Sequence, residues 1–292
     1  MSEPKPTSTV IRPVPMRFGI LLVRLHPSLW REAVMLADEL GYESVWIADH
    51  LVLPQQIAGE LVPGEEHPPV DPHTPVFDVP AYLSYFAACT QHIRLGVYVY
   101  LLGIRHPFIT ARGFATLDVV SNGRAELGIG AGWLENEWTA AGLDPQSRGR
   151  RLDECIDVCR RLWTEPVVEH HGEFFDFEPV AFEPKPIQHP LPMAVGGETK
   201  AAMRRAARLD GWMGLVHTPE SAAPIVAQFR AVEAGLREGH RGTVSVSGEC
   251  RDEDELDRWQ RAGVDRLIVA PWDRSSNALE GLRTFAARFI RR

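Results

Sequence analysis

Asp49 and His50 end the segment ESVWIADH, where a short apolar run stops at two side chains that can carry protons. A histidine titrates near neutral pH and therefore suits the proton exchange that accompanies many enzyme reactions. The same pair could also be the ordinary polar end of a buried strand that reaches solvent. Which interpretation holds depends on the side chains that the fold brings beside the pair.

Glycine-rich turns follow two other apolar runs, in the segments GIGAGWLEN and AVGGET. In the second, Gly196 and Gly197 would let backbone N–H groups surround an anion at the start of a helix. Thr199 could cap that helix and bond to a phosphate oxygen. A plain strand-to-helix turn would explain the same three residues equally well.

Other site chemistries are not indicated by the sequence. It contains no GxSxG elbow and no GxxxxGK[ST] phosphate loop, and GIGAG is a weak match to the dinucleotide motif. No ring of His, Asp and Glu at metal-ligand spacing follows the apolar runs, so we expect no metal site. The adjacent His170 and His171 fall in an excursion away from the strand ends and are expected to be solvated.

The elements that must position these residues alternate along the chain. Residues 16–23 and 43–49 are nearly continuous apolar runs with a helical pattern over residues 28–41 between them, which is typical of a parallel sheet buried on both faces. Helical patterns separate six further strand-like runs, at residues 93–102, 124–132, 191–197, 211–216, 243–248 and 265–271. A hairpin is expected over residues 170–186.

Eight such strands without a compositional break predict one α/β domain, a (β/α)8 TIM barrel over residues 16–292. Residues 1–15 are expected to be a flexible leader, and an open doubly wound sheet would show the same local alternation. A proline-rich insertion after the second strand, residues 50–79, directly follows His50 and is expected to be a lid or pocket wall. The C-terminal ends of barrel strands meet at one face, which would bring His50 to the glycine turns.

Composition limits the partners of the protein. The 292 residues are 45% hydrophobic, as in a globular protein with a sizeable core, and carry a formal net charge of −8. An acidic balance argues against a broad nucleic-acid surface. No apolar run approaches the roughly 20 residues of a membrane span, and the N-terminus lacks an apolar signal core. We therefore expect a cytoplasmic protein whose partner is a small-molecule substrate, without nucleic acid or membrane.

The ordered motifs resemble the luciferase-like monooxygenase superfamily of TIM barrels, whose members use FMN or the deazaflavin coenzyme F420. The motifs are LADELGYESVWIADH, IRLGVYVYLLGIRHPFITARGFATLDVVSNGRAELGIGAGW, RGRRLDECIDVCRRLW and PMAVGGETKAAMRRAARLDGW. The resemblance runs from Phe18 to about Leu215 and is strongest to F420-dependent oxidoreductases. It implies hydride transfer between F420 and a small organic substrate. The alternative is an FMN-dependent monooxygenase that activates O2.

The resemblance also implies residue roles. It places Asp49 beside the deazaflavin ring and makes His50 a general acid/base or an electrostatic partner, so both are predicted to be catalytic. It implies a cis peptide bond between Tyr98 and Val99 behind the ring. The implied cofactor-binding residues are Asp49, Tyr98, Val99, Ala131, Gly132, Asn136, Gly196, Gly197 and Thr199.

Trp133 stands where F420-dependent sugar-phosphate dehydrogenases of this superfamily carry a glutamate proton donor. This departure argues against a sugar phosphate and favours an apolar or planar substrate, although Trp133 could also simply pack under the lid. Glu135 lies nearby in sequence and could supply an acid. Both residues are predicted to line the substrate pocket.

Several arginines could bind an anionic cofactor. Arg105, Arg204 and Arg205 near the pocket mouth would favour the acidic tail of F420, and Arg148 or Arg151 could reach a phosphate. Relatives often form dimers, so a homodimer is expected. Two other classes stay open: a barrel that has lost cofactor binding and catalysis, and a hydrolase or lyase that uses Asp49 and His50 without a cofactor.

Overall fold

The computed structural model describes residues 16–61, 64, 70–237 and 239–290. Its strands are β1 Arg17–Leu21, β2 Ser44–Ile47, β3 Arg94–Tyr100, β4 Ala125–Ile129, β5 Val167–His171, β6 Asp176–Ala181, β7 Met193–Gly196, β8 Gly211–Val216, β9 Thr243–Ser247 and β10 Arg266–Val269. Its α-helices are α1 Trp30–Leu40, α2 Val79–Cys89, α3 Pro107–Val120, α4 Glu135–Ala140, α5 Arg148–Thr164, α6 Lys200–Ala206, α7 Pro219–Leu236, α8 Glu253–Arg261 and α9 Ala278–Phe289.

Parallel strands form a closed ring in the order β1-β10-β9-β8-β7-β4-β3-β2. The ring closes because Ile20 of β1 lies opposite Val45 of β2 and Val269 of β10. The predicted (β/α)8 barrel is confirmed, and an open sheet is excluded by this closure. β5 and β6 pair antiparallel as the expected hairpin between α5 and β7. Helix α4 was not predicted.

Helix boundaries follow local chemistry. α1 ends at Gly41, whose φ of +86° is the left-handed conformation that glycine adopts without steric cost. At α2, the Asp78 carboxylate accepts the N–H of Ala81 over 2.9 Å and so caps the first turn. These two ends set where the chain enters β2 and where it leaves the segment predicted to be a lid.

One indole fills the middle of the barrel. Trp46 of β2 is fully buried, and its Nε1 donates to Ser44 Oγ over 2.8 Å. Glycines on both neighbouring strands lie against the indole. Gly96 lies opposite Trp46 on β3, and a Cβ there would lie 2.4 Å from the Trp46 ring. Gly19 lies opposite Ser44 on β1, and a Cβ there would lie 2.7 Å from Trp46 Nε1. The absence of side chains at these two positions therefore makes room for the indole.

An ion cluster closes the N-terminal end of the barrel beneath that indole. Arg266 is 2% exposed, and its guanidinium carbon lies 5.1 Å from the Trp46 ring. It donates to Glu43 over 2.6 Å and to Glu126 over 2.7 Å. Burial alone would raise the pKa of Glu126, but Arg266 and Arg94 hold that pKa below its ordinary value. The cluster thus keeps the buried Glu126 carboxylate charged.

The predicted leader and part of the expected lid fall outside the described residues, whereas His170 and His171 lie within them. The predicted leader, residues 1–15, lies outside the described residues, as do residues 62–63 and 65–69 of the expected lid. His171 is exposed, but His170 is not solvated as expected: its Nε2 lies 3.0 Å from Glu154 because the hairpin folds back on α5.

Two further features, a membrane-spanning helix and a metal-binding cluster, are absent from the described residues. Within the described part of the chain, no helix is long and apolar enough to cross a membrane. Over the same ranges, no group of three or more His, Cys, Asp or Glu side chains could hold a metal ion.

The packing of Trp46 generates a stability prediction. Gly96→Ala should lower the free energy of unfolding by about 1–3 kcal/mol, because the added methyl group forces the indole out of its place. Gly235→Ala in α7 is the matched control, since nothing lies within 4 Å of its added Cβ. That change should instead stabilise the helix by about 0.5–1 kcal/mol. Urea denaturation measures both, and equal effects of the two substitutions would contradict the packing argument.

Candidate active site

The acidic end of β2 is held by an arginine that follows β3. The Asp49 side chain has no exposed surface, and the Arg105 guanidinium donates to both of its oxygens over 2.7 and 2.8 Å. The N–H of Leu101 donates to Oδ2 over 2.8 Å. Burial raises the pKa of Asp49, and Arg105 opposes that rise. Asp49 therefore positions Arg105 and the end of β3, while its predicted direct contact with a cofactor stays a prediction.

His50 is bound to a carboxylate that comes from beyond β4. Its Nδ1 lies 2.9 Å from Oε2 of Glu137, whose side chain is 1% exposed. Oε1 of the same carboxylate accepts the N–H of Leu51 over 2.5 Å and that of Val52 over 3.3 Å. One buried carboxylate thus holds the imidazole and the backbone that follows it.

These bonds assign the proton positions on the His50 ring. Because both Glu137 oxygens act as acceptors, the hydrogen lies on Nδ1 and Nε2 is left to exchange a proton. The assignment follows from the hydrogen-bond pattern. No residue in the described ranges bonds to Nε2, and the side chain is 22% exposed. The pair therefore has the arrangement of a histidine whose orientation and tautomer are set by a carboxylate.

Glu137 is missing from the predicted site, although its neighbours Glu135 and Asn136 were included. In the structure Glu135 is 42% exposed and Asn136 is half-buried. Helix α4 is too short to show a clear hydrophobic period, so the sequence pattern does not predict it. A signal was nevertheless present: Leu134 and Trp138 are apolar at helical spacing, which places Glu137 on the same buried side.

The start of the expected lid packs on the wall that carries Trp133. The N–H of Glu135 donates to the Ala58 carbonyl oxygen over 2.8 Å. Gly59 has a φ of +116°, and a Cβ there would lie 1.9 Å from the Trp133 carbonyl oxygen. Only glycine fits this contact. Ala58 and Gly59 therefore pack against the backbone of Trp133 and Glu135, and a role of this segment as a pocket wall stays a prediction.

The bulge in β3 meets both glycine-rich turns. The Tyr98–Val99 peptide bond is cis, as predicted, and the Tyr98 hydroxyl donates to the carbonyl oxygen of Gly214 at the end of β8. Burial raises the pKa of Tyr98 well above its ordinary value, so the phenol stays neutral. Val99 packs closely against the ends of β4 and β7. A Cβ at Gly130 would lie 2.5 Å from one Val99 methyl carbon, and a Cβ at Gly196 would lie 2.7 Å from the other.

The predicted cofactor-binding residues differ in exposure from the strand residues before them. Val97, Ile129 and Val195 are buried. The positions that follow are half-buried, namely Tyr98, Val99, Ala131, Gly132, Gly196 and Gly197. The structure thus brings these residues to one partly accessible surface at the C-terminal face of the barrel.

Thr199 caps α6 as predicted. Its Oγ1 accepts the N–H of Ala202 over 3.2 Å, and its side chain is exposed. Gly197, two residues earlier, has a φ of +105° that suits the turn. Whether Thr199 also binds a phosphate stays a prediction.

Most arginines predicted to meet an anion are engaged with protein groups. Arg205 donates to a carboxylate of α5 over 2.5 Å, and Arg151 donates to a backbone carbonyl over 2.7 Å. Arg148 lies 3.8 Å from the carboxylate of Glu135. Arg204 is exposed on α6. Together with the pairing of Arg105 described above, this leaves Arg204 the most accessible of the five.

Known proteins similar to this chain share its sequence over most of its length. The family model described as luciferase-like monooxygenase matches residues 16–287. An uncharacterized protein of Mycobacterium tuberculosis (strain ATCC 25618 / H37Rv) is 33% identical over 258 residues, 87% of this chain and 88% of that protein. A Nakamurella multipartita protein named F420-dependent glucose-6-phosphate dehydrogenase is 32% identical over 251 residues, 84% of this chain and 66% of that protein.

A solved structure supports the fold. An F420-dependent secondary alcohol dehydrogenase in complex with an F420-acetone adduct superposes with a TM-score of 0.76 at 18% identity, over 94% of this chain and 98% of that chain. At that identity the likeness concerns the fold alone.

The Glu137 contacts predict the effect of Glu137→Gln on His50. The amide oxygen must remain with the N–H groups of Leu51 and Val52, so the amide nitrogen will face the imidazole and donate to it. The ring proton should therefore move from Nδ1 to Nε2. Nitrogen-15 NMR of the neutral ring distinguishes the two tautomers. Retention of the proton on Nδ1 in the variant would show that Glu137 does not set the tautomer.

Proposed function

The chain belongs to the luciferase-like monooxygenase family, and we propose that it is an F420-dependent oxidoreductase that transfers a hydride between the deazaflavin and a small organic substrate. The observation that carries the proposal is the His50–Glu137 pair, joined over 2.9 Å at the C-terminal face of the barrel. Such a pair supplies the proton that must accompany hydride transfer to or from an oxygen-bearing carbon.

The residues of this face would fit a flat ring system. Tyr98 and Val99 offer half-buried apolar surface beside Gly132 and the turn at Gly196 and Gly197. Small residues at these positions let a ring approach the backbone closely. These residues would hold the deazaflavin, which when bound supplies or accepts the hydride.

His50 performs the proton step in this proposal. With Nδ1–H directed to Glu137, Nε2 accepts a proton from a substrate hydroxyl during oxidation and returns one to the oxygen during reduction. The buried carboxylate stabilises the charged imidazolium that forms. Asp49 and Arg105 act through the backbone of β3 and carry no proton in this scheme.

Sequence identity to a relative named for F420 supports F420 over FMN as the cofactor. The Nakamurella multipartita relative, at 32% identity, is named for F420.

Trp133 argues against the sugar phosphate in that name, and we propose a neutral apolar or planar substrate instead. The expected homodimer stays a prediction.

Cofactor titration tests the proposal directly. Purified protein should bind F420 with a dissociation constant in the micromolar range or below and bind FMN more weakly, as followed by fluorescence. Preference for FMN would indicate the monooxygenase alternative. Binding of neither cofactor would exclude both readings.

Substitution of His50 tests its role as proton carrier. His50→Ala should lower kcat by about 10²–10⁴-fold, because general acid–base catalysis contributes that much, with a small change in F420 affinity. His92→Ala is the matched control, since His92 is exposed before β3 at the opposite end of the barrel. Unchanged turnover in the His50 variant would refute the assignment.

A further inference from the structure

A second histidine–glutamate pair lies at the same face of the barrel, after β7 and β8. Glu198 directly follows the Gly196–Gly197 turn, and its Oε1 lies 2.6 Å from Nε2 of His217. The N–H of Leu215 donates to the same oxygen over 3.2 Å. The side chains of His217 and Glu198 are 10% and 22% exposed. Solvent therefore screens this pair less than an ordinary surface ion pair.

Hydrogen bonds join His217 both to Glu198 and to the start of α7. Its Nδ1 lies 3.1 Å from Ser221 Oγ, which accepts the Thr218 N–H over 3.0 Å. Its Nε2 faces the Glu198 carboxylate, which can only accept, so Nε2 is the donor of the 2.6 Å bond. Burial raises the pKa of Glu198, but the hydrogen bonds from His217 and Leu215 bring it below its ordinary value.

Capping of α7 does not account for this ion pair. Thr218 and Ser221 form a reciprocal capping box in which each side chain accepts the backbone N–H of the other. That cap is complete without Nε2 of His217 or the carboxylate of Glu198. The pair instead joins the turn after β7 to the turn after β8.

The turn that Glu198 follows is already attached to β8. The N–H of Gly197 donates to the Met213 carbonyl oxygen over 3.3 Å, and its own carbonyl oxygen accepts Trp212 Nε1 over 2.8 Å. Gly197 adopts the left-handed φ of +105°, which an unrestrained glycine leaves easily. The hydrogen bond between His217 and Glu198 adds a restraint one residue further on.

We propose that Glu198 and His217 are positioning residues that hold the Gly196–Gly197 turn in the conformation that binds the cofactor. The inference rests on the proposed function, because that function gives the turn its ligand. Tyr98 adds a further contact, since its hydroxyl donates to the carbonyl oxygen of Gly214 in β8. Hydrogen bonds therefore link both the bulge of β3 and the turn after β7 to β8 or to the turn that follows it.

His217→Gln removes the imidazole that bonds to Glu198 and keeps a polar side chain of similar reach. The dissociation constant for F420, or for FMN if wild-type protein prefers it, should rise about tenfold, because the competent fraction of the turn falls by that factor. Turnover at saturating cofactor should change little. Glu198→Gln should have the same effect. His170→Gln is the matched control, since it breaks a histidine–glutamate pair of 3.0 Å in the hairpin and should leave affinity unchanged.

Amide hydrogen exchange of residues 196–199 gives a readout that needs no cofactor. Exchange should accelerate in His217→Gln and stay unchanged in His170→Gln. Faster exchange with unchanged affinity would overturn the proposal, and so would weaker affinity with unchanged exchange, which would mean that His217 contacts the cofactor directly. If wild-type protein binds neither cofactor, the proposed function fails, and unchanged exchange in His217→Gln would then separately disprove the restraint.

Discussion

The volume of the Trp46 indole inside the barrel is the constraint on which the packing of the surrounding strand residues depends. The guanidinium carbon of the buried Arg266 lies 5.1 Å from its ring, and the absence of side chains at Gly19 and Gly96 leaves room for it. Tyr98 and Val99 pack on the same interior cluster as Trp46. A barrel interior is filled by side chains rather than open, so the size of one residue limits what its neighbours can be.

Carboxylates then connect the strand ends at that face. Asp49 joins the end of β2 to Arg105 after β3, and Glu137 reaches from α4 back to His50. Glu198 joins the turns after β7 and β8. Each acid is paired with a cation or histidine from another loop, and such charge-assisted bonds are directional. Loops that would otherwise move independently are thereby restrained around the candidate site.

The barrel and half of the site could be predicted because both follow from position in the chain. Strands buried on both faces appear as apolar runs, and His50 and the glycine turns directly follow such runs. Glu137 could not be predicted in this way, since its contact with His50 spans 87 positions and depends on a side-chain conformation. His170 was misjudged for a similar reason. A strand pattern does not show that a hairpin will fold back on a carboxylate of α5.

The pairing of β4 with β7 has a consequence for how such a chain can change over time. Gly128 lies opposite Ala194, so residues 130–192 leave the sheet and return beside the strand that they left. The register of these two strands does not depend on the length of the path between them, and loop closure costs rise only slowly with length. Lineages can therefore lengthen, shorten or replace the hairpin while the barrel stays in register. In this fold, the length of the chain can therefore change separately from the chemistry of the candidate site.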